Sequence, residues 1–216
     1  MTALAPPPPD LAASEALEEA RMRHIPYDFA MDVDDHTAQF CSEVASAAYG
    51  AHGIELWKHL STFSSPGLAR WMAGFGVRHL ETHGPSDLEH DPQLRVVAEW
   101  HAPETLFRDH VHNAAIDAML EQAEAGAPLD HAAWMLPIAR VLKAWSAVKV
   151  ACGSEGPIPE GMSATTALRA QWLAERHGAI EACVLERVGD YQAKHGRRPP
   201  YWTLVELARE CAGELR

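Results

Sequence analysis

No Cys-x-x-Cys pair occurs in this chain; its four cysteines, Cys41, Cys152, Cys183 and Cys211, stand far apart. That spacing excludes a zinc knuckle and a thioredoxin-type redox centre, and free thiols in a reducing compartment are the simplest expectation. No apolar run approaches the ~18–20 residues that span a bilayer, and the start, MTALAPPPPD, lacks the charged-then-apolar order of a secretory signal. A soluble, cytoplasmic protein without a membrane span is expected. Basic residues are scarce: 18 Lys and Arg against 30 Asp and Glu leave a formal charge of −12, and no Lys/Arg block could follow a phosphate backbone. Nucleic acid is therefore not an expected partner.

What is present is an ordinary globular composition, 47% hydrophobic and 22% charged, which excludes a disordered chain and a disulfide-dense miniprotein. Residues 1–9 read as a Pro-rich tail. Asp10 is a candidate N-cap for a helix over about 11–23. Pro26 stops that helix, and YDFAMDV alternates as a short strand before a turn at Asp34 and Asp35. From Cys41, the segment CSEVASAAYG puts Val44, Ala45, Ala48 and Tyr49 on one helical face, so Cys41 falls at or near a helix N-terminus. Gly and Pro break residues 54–92 repeatedly, leaving room only for short elements, and QLRVVAEW (93–100) reads as a strand. Beyond Pro103 four helical stretches follow, separated by Gly126, Gly153 with Gly156, and Gly196 with Pro199. The expected fold class is α+β but mostly helical, with a mixed part over 10–100 and a helical region over 101–216.

Cys41 is the residue with chemistry to offer. The positive end of a helix macrodipole favours a thiolate, the nucleophilic form, without a metal. The surrounding sequence, IPYDFAMDVDDHTAQFCSEVASAAY, resembles the signature of the circularly permuted NlpC-type papain-like cysteine hydrolases, the YiiX/YaeF group. There a Pro-Tyr-Asp segment and an Asp-Asp turn lead into a Cys-Ser-Glu helix followed by an aromatic. Tyr27, Asp28 and Phe29 stand in the first segment, Asp34 and Asp35 in the turn, Cys41, Ser42 and Glu43 in the nucleophile motif, and Tyr49 closes it. Further on, PSDLEHDPQLRVV resembles the end of that domain.

The resemblance implies a partial permuted papain-like core over 10–100 and a cysteine hydrolase of the amidase, peptidase or acyltransferase class, with Cys41 as nucleophile, acting through an acyl-enzyme and needing no cofactor. Tyr27 and Ser42 would contact the substrate, Tyr27 as a second oxyanion donor or wall of the site; core packing is an equal alternative for Tyr27. Asp34 and Asp35 make the turn, and Glu43 complements the helix N-terminus rather than serving as a base. In the group, the catalytic histidine lies on a strand in a long stretch upstream of the Tyr-Asp segment, whereas 23 residues precede His24 here. The histidine-bearing half is thus expected to be missing, as in a shortened or split gene product, with His36 and His24 as the remaining candidates for the base. Substrates would be small-molecule, lipid or peptide acyl compounds, and a homodimer or a complementary polypeptide could cover exposed strand edges. The alternative is a non-catalytic helical interaction protein that retains the motif by descent.

Thirteen histidines raise the question of a metal. His110 and His112, two apart in a helix, point about 200° from each other. His79 and His83 have i, i+4 spacing, but HLETH lacks the zincin pattern, and no pair of Glu-x-x-His motifs exists. No metal site is expected. Trp134, Trp145, Trp172 and Trp202 lie on or beside expected helices and are read as core residues.

Overall fold

A computed structural model describes residues 9–23, 25–33, 35, 37–41, 43–56, 61, 62, 64–82, 84, 88, 90–95, 102–129, 131 and 133–215. Among them are seven α-helices: α1 (Pro9–Met22), α2 (Glu43–Gly50), α3 (Pro66–Phe75), α4 (Pro103–Glu124), α5 (Leu136–Ala151), α6 (Ala164–His195) and α7 (Tyr201–Glu214). Extended structure among the described residues is confined to an antiparallel pair of two-residue strands, β1 (Ser61–Thr62) and β2 (Glu81–Thr82), and an isolated bridge between Tyr27 and Gln39. The chain is mostly helical as expected, and no papain-like core sheet is seen among the described residues. The chain forms two compact units, one of Met1–Phe63, Gly76–Ala98 and Lys143–Met162, the other of Ser64–Phe75, Glu99–Leu142 and Ser163–Arg216.

The second unit is a helical bundle whose boundaries follow from local chemistry. Pro103 opens α4, Ser163 caps α6 by accepting from Thr166 N–H at 3.0 Å, and Gly196, with φ of 68°, ends α6 in a left-handed turn. On α4 the buried residues are Val111, Ala114, Ala115, Ala118, Met119 and Ala123, a stripe at helical spacing. It meets Ile180, Val184 and Val188 of α6 and Leu204, Val205, Ala208, Cys211 and Ala212 of α7. So many alanines let the helix backbones approach closely, and α3 follows the same rule: a Cβ added at Gly67 would stand 1.9 Å from the Ala123 carbonyl oxygen. Trp71 of α3 is buried and donates from its indole N–H to Ala127 O at 2.9 Å. The Arg176 guanidinium closes the end of the bundle, donating to Gln122 Oε1, Ala212 O and Leu215 O.

Sulfur chemistry adds to this packing. Cys183 of α6 and Cys211 of α7 form a disulfide, with Cα atoms 6.0 Å apart. The expectation of four free thiols is overturned, because two helices packed through Val184, Ala208 and Ala212 hold those two side chains face to face. The tryptophans also depart from expectation. Trp172 packs against the core and meets Trp71 edge-on, but Trp134, Trp145 and Trp202 are 75%, 56% and 71% exposed. Trp202 lies two residues before Leu204, about 200° around α7 from the buried face. Trp145 sits on α5, which buries the small Ala139 and Ser146 and leaves its large residues outside.

One hydrogen bond in this bundle gives a pH signature. Tyr201 Oη donates to Asp117 Oδ2 at 2.7 Å. Burial, that hydrogen bond and the Asp117 charge push the Tyr201 phenol up to about 12. The folded value lies above the phenol's ordinary ~10, so the stabilisation is complete below about pH 10 and is lost as pH rises through the folded value. Alkaline titration of the phenolate absorbance is expected to show a late transition near 12 that Tyr201→Phe removes. A late transition persisting in that variant would contradict the assignment.

The first unit is built around tight turns. YDFAMDV is not a strand: the Asp28 carboxylate accepts from Ala30 N–H at 2.7 Å and Asp32 N–H at 2.6 Å, and Met31 takes a left-handed φ of 55°. A carboxylate that captures two nearby amides outcompetes the ladder an alternating pattern would form. Of QLRVVAEW, residues 93–95 are not extended strand and 96–100 lie outside the described residues. Beyond α5, the Ser146 hydroxyl accepts from Ile158 N–H at 2.9 Å, folding the loop back onto the helix; a Cβ at Gly156 would strike Ser146. Among the described residues no helix is long and apolar enough to cross a membrane.

Candidate functional site

The loop that presents Cys41 is fixed from both sides. Upstream, Gln39 N–H donates to Pro26 O and Asp28 N–H donates to Gln39 O, each at 3.0 Å, which makes the parallel bridge between Tyr27 and Gln39. The Pro-Tyr-Asp segment is thereby laid beside the residues that run into Cys41. Next, Phe40 is buried and anchors the turn. Phe40 N–H donates to Glu43 Oε2 at 3.1 Å while Glu43 N–H donates to Phe40 O at 2.9 Å. The Glu43 carboxylate thus satisfies a main-chain N–H in the turn ahead of α2, which accounts for a buried glutamate at the first position of that helix. Glu43 therefore serves the helix start.

Cys41 stands between Phe40 and Glu43, exposed and outside any disulfide. Tyr27 is 44% exposed, its ring 4.9 Å from that of Phe29. Burial, then the charges of Cys41 and Asp28, hold the Tyr27 phenol above its ordinary value. Behind this pair, Gly161 takes a φ of 80°, and a Cβ there would lie 3.2 Å from Tyr27 O and 3.4 Å from the Phe29 ring. Only glycine fits both the conformation and the gap.

Two hollows flank the loop. One of about 1160 Å³ is bordered by Val33, Thr37, Gln39, Glu43, Ser46 and Leu56; a smaller one of about 320 Å³ is bordered by Tyr27, Gln39, Val44 and His52. Cys41 lines neither; Gln39 of the bridge borders both, and Tyr27 only the smaller. His52 escaped the sequence reading. Its Nε2 lies 3.1 Å from Glu15 Oε2, a contact between α1 and the end of α2. It follows α2 at the end opposite Cys41, and the eight residues of α2 span about 12 Å, which separates it from the thiol.

Of the other expected site residues, Ser42, His36 and His24 lie outside the described residues, as do Asp34 and His83. Asp35 makes the expected turn, accepting from Thr37 N–H at 2.9 Å. His79 is not on a helix and faces Asp32 Oδ2 at 3.4 Å, so the i, i+4 relation to position 83 is not a helical one. His110 packs edge-on against Tyr201. In the helical unit, however, His112, His177 and Glu181 converge, their ligand atoms within 4.8 Å of one another. The only sequence signal for that cluster was the i, i+4 spacing of His177 and Glu181; His112 joins from another helix.

No protein-family model, curated protein or solved structure matches this chain.

Proposed function

We propose that the chain carries the nucleophile of a papain-like cysteine hydrolase of the amidase, peptidase or acyltransferase class, similar to the permuted NlpC-type group. The observation that supports it most is the Tyr27–Gln39 bridge, which lays the backbone of the Pro-Tyr-Asp segment beside the residues that lead to an exposed Cys41 just before α2. In this reading the Cys41 sulfur attacks the carbonyl carbon of an amide, ester or thioester. A thioester to the enzyme forms, the amine, alcohol or thiol leaves with a proton from a histidine, and water then releases the acid. Ser42 and Tyr27 flank the acyl group, and the Cys41 N–H together with the Tyr27 hydroxyl stabilise the oxyanion. The base is His36, His24 or a histidine on a complementary polypeptide. A cytoplasmic location stands in tension with the Cys183–Cys211 disulfide, which cytosolic reductants would open.

Cys152 supplies the internal control. Both thiols are exposed, but Cys41 precedes α2 whereas Cys152 follows α5, at the end of a helix whose dipole disfavours an anion. Under native, non-reducing conditions iodoacetamide is expected to modify these two cysteines, Cys41 several-fold faster at neutral pH. Equal rates would remove the physical basis of the nucleophile assignment.

A second reading, a helical interaction protein that keeps the motif by descent, is favoured by one observation. Trp134, Ile138, Val141, Trp145 and Val148 are exposed and recur at alternating spacings of four and three residues, the pattern of a helix seam. Such a face suits a homodimer or another partner helix, and a concentration-independent monomer in sedimentation would count against it.

A further inference from the structure

In the helical unit, α4 and α6 bring three metal-binding side chains together. Glu181 Oε1 lies 3.2 Å from His112 Nδ1, Glu181 Oε2 lies 3.6 Å from His177 Nδ1, and the two imidazole rings meet with centroids 4.4 Å apart. We propose that His112, His177 and Glu181 bind a divalent transition-metal ion such as zinc through the two Nδ1 atoms and the carboxylate.

The hydrogen bonding around His177 leads to this. Its Nε2 faces the His112 carbonyl oxygen at 3.3 Å, and a carbonyl can only accept, so Nε2 carries the proton. Nδ1 is then the ring atom turned toward the Glu181 carboxylate. A backbone carbonyl that takes the outer N–H of a ligating histidine is the usual device for fixing its tautomer, and here it leaves Nδ1 on the same side as the carboxylate and His112. Ligand atoms ~2.0–2.1 Å from a tetrahedral ion stand about 3.3 Å apart; His112 Nδ1 and Glu181 Oε1 are already 3.2 Å apart, and one ligand atom from each of the three residues lies within 4.8 Å of the others. Two imidazoles and one carboxylate form the three-ligand set that leaves a fourth position for water or an incoming ligand. The His177 and Glu181 side chains are only 15% and 31% exposed, whereas that of His112 is 53% exposed, so the fourth position opens on its side. A bound ion would also tie α4 to α6.

The test is titration of the untagged, chelator-treated full chain with zinc against a chromophoric competitor. One equivalent is expected to bind tightly and to raise Tm by about 5–10 °C at saturation. Cobalt substitution is expected to give the intense visible absorption of a tetrahedral site. His112→Ala and His177→Ala should each weaken binding by about 100-fold or more, and Glu181→Gln, which keeps the side chain's shape, by about 10-fold. His110→Ala, Cys41→Ala and Cys152→Ala should leave it unchanged, and circular dichroism of the metal-free variants checks that each still folds. Absence of zinc binding by the wild-type chain, or zinc binding that survives His112→Ala and His177→Ala, overturns the proposal; in the first case the cluster is an imidazolium–carboxylate pair held by a proton.

Discussion

Reduction of the Cys183–Cys211 disulfide is expected to cost the helical unit about 3.5 kcal/mol and to lower Tm by on the order of 10 °C. The magnitude comes from chain entropy. The bond closes a loop between positions separated by 28 residues, and removing it returns that freedom to the unfolded chain. Because α6 and α7 also pack through Ile180, Val184, Val188, Leu204, Val205 and Ala208, the reduced protein should still fold. Cys183→Ala with Cys211→Ala is expected to behave like the reduced wild type, apart from a small cavity at the buried Cys211 position. Urea denaturation with and without reductant, with mass spectrometry to count thiols, measures it. An unchanged midpoint after complete reduction, or four alkylatable thiols in the native oxidised protein, would contradict the pairing.

The second large effect concerns activity. Loss of one member of a nucleophile–base unit commonly costs ~10⁴-fold or more. On amide, ester and thioester substrates, Cys41→Ala is therefore expected to remove turnover by at least that factor. The base is then found by the same arithmetic: whichever of His36→Ala and His24→Ala matches the loss identifies it. If the chain alone shows only trace turnover and neither histidine matters, a complementary polypeptide that supplies a histidine should raise the rate by about the same factor, and Cys41→Ala should abolish the gain. Turnover unaffected by Cys41→Ala would refute the mechanism outright.

The helical part of the fold was legible in the sequence because its signals are local and agree with one another. Pro103, Ser163 and Gly196 mark helix ends by their own backbone and capping chemistry, and the apolar stripe of α4 recurs with the helical period. YDFAMDV misled because alternation describes only side-chain polarity, while Asp28 settles the backbone through two short hydrogen bonds that a pattern does not contain. The α5 tryptophan misled differently. A period shows which residues share a face but not whether anything covers it, and on α5 the covered face is the one with Ala139 and Ser146.

The site divides along the same line. Cys41 and Tyr27 were both picked out by resemblance, and the segments that carry them are joined by two backbone hydrogen bonds from Gln39 to Pro26 and Asp28. The part of Glu43 was legible too, since an acid at the first turn of a helix has an obvious electrostatic use. What could not be read was pairing across helices. Cys183 with Cys211, and His112 with His177 and Glu181, depend on how α4, α6 and α7 pack, which no spacing along the chain encodes.

The most direct test of the central claim, that Cys41 is the acyl acceptor, is intact-mass and peptide mapping of the chain after brief exposure to an activated ester such as a p-nitrophenyl acyl ester. An activated leaving group lessens the need for a general acid, so the first half of the reaction is open even to a chain that turns over slowly. The account expects one acyl group per chain, on the peptide carrying Cys41, with nitrophenolate released in equal amount and neither product formed by Cys41→Ala. Acylation shared evenly with Cys152, or none at Cys41, would contradict it.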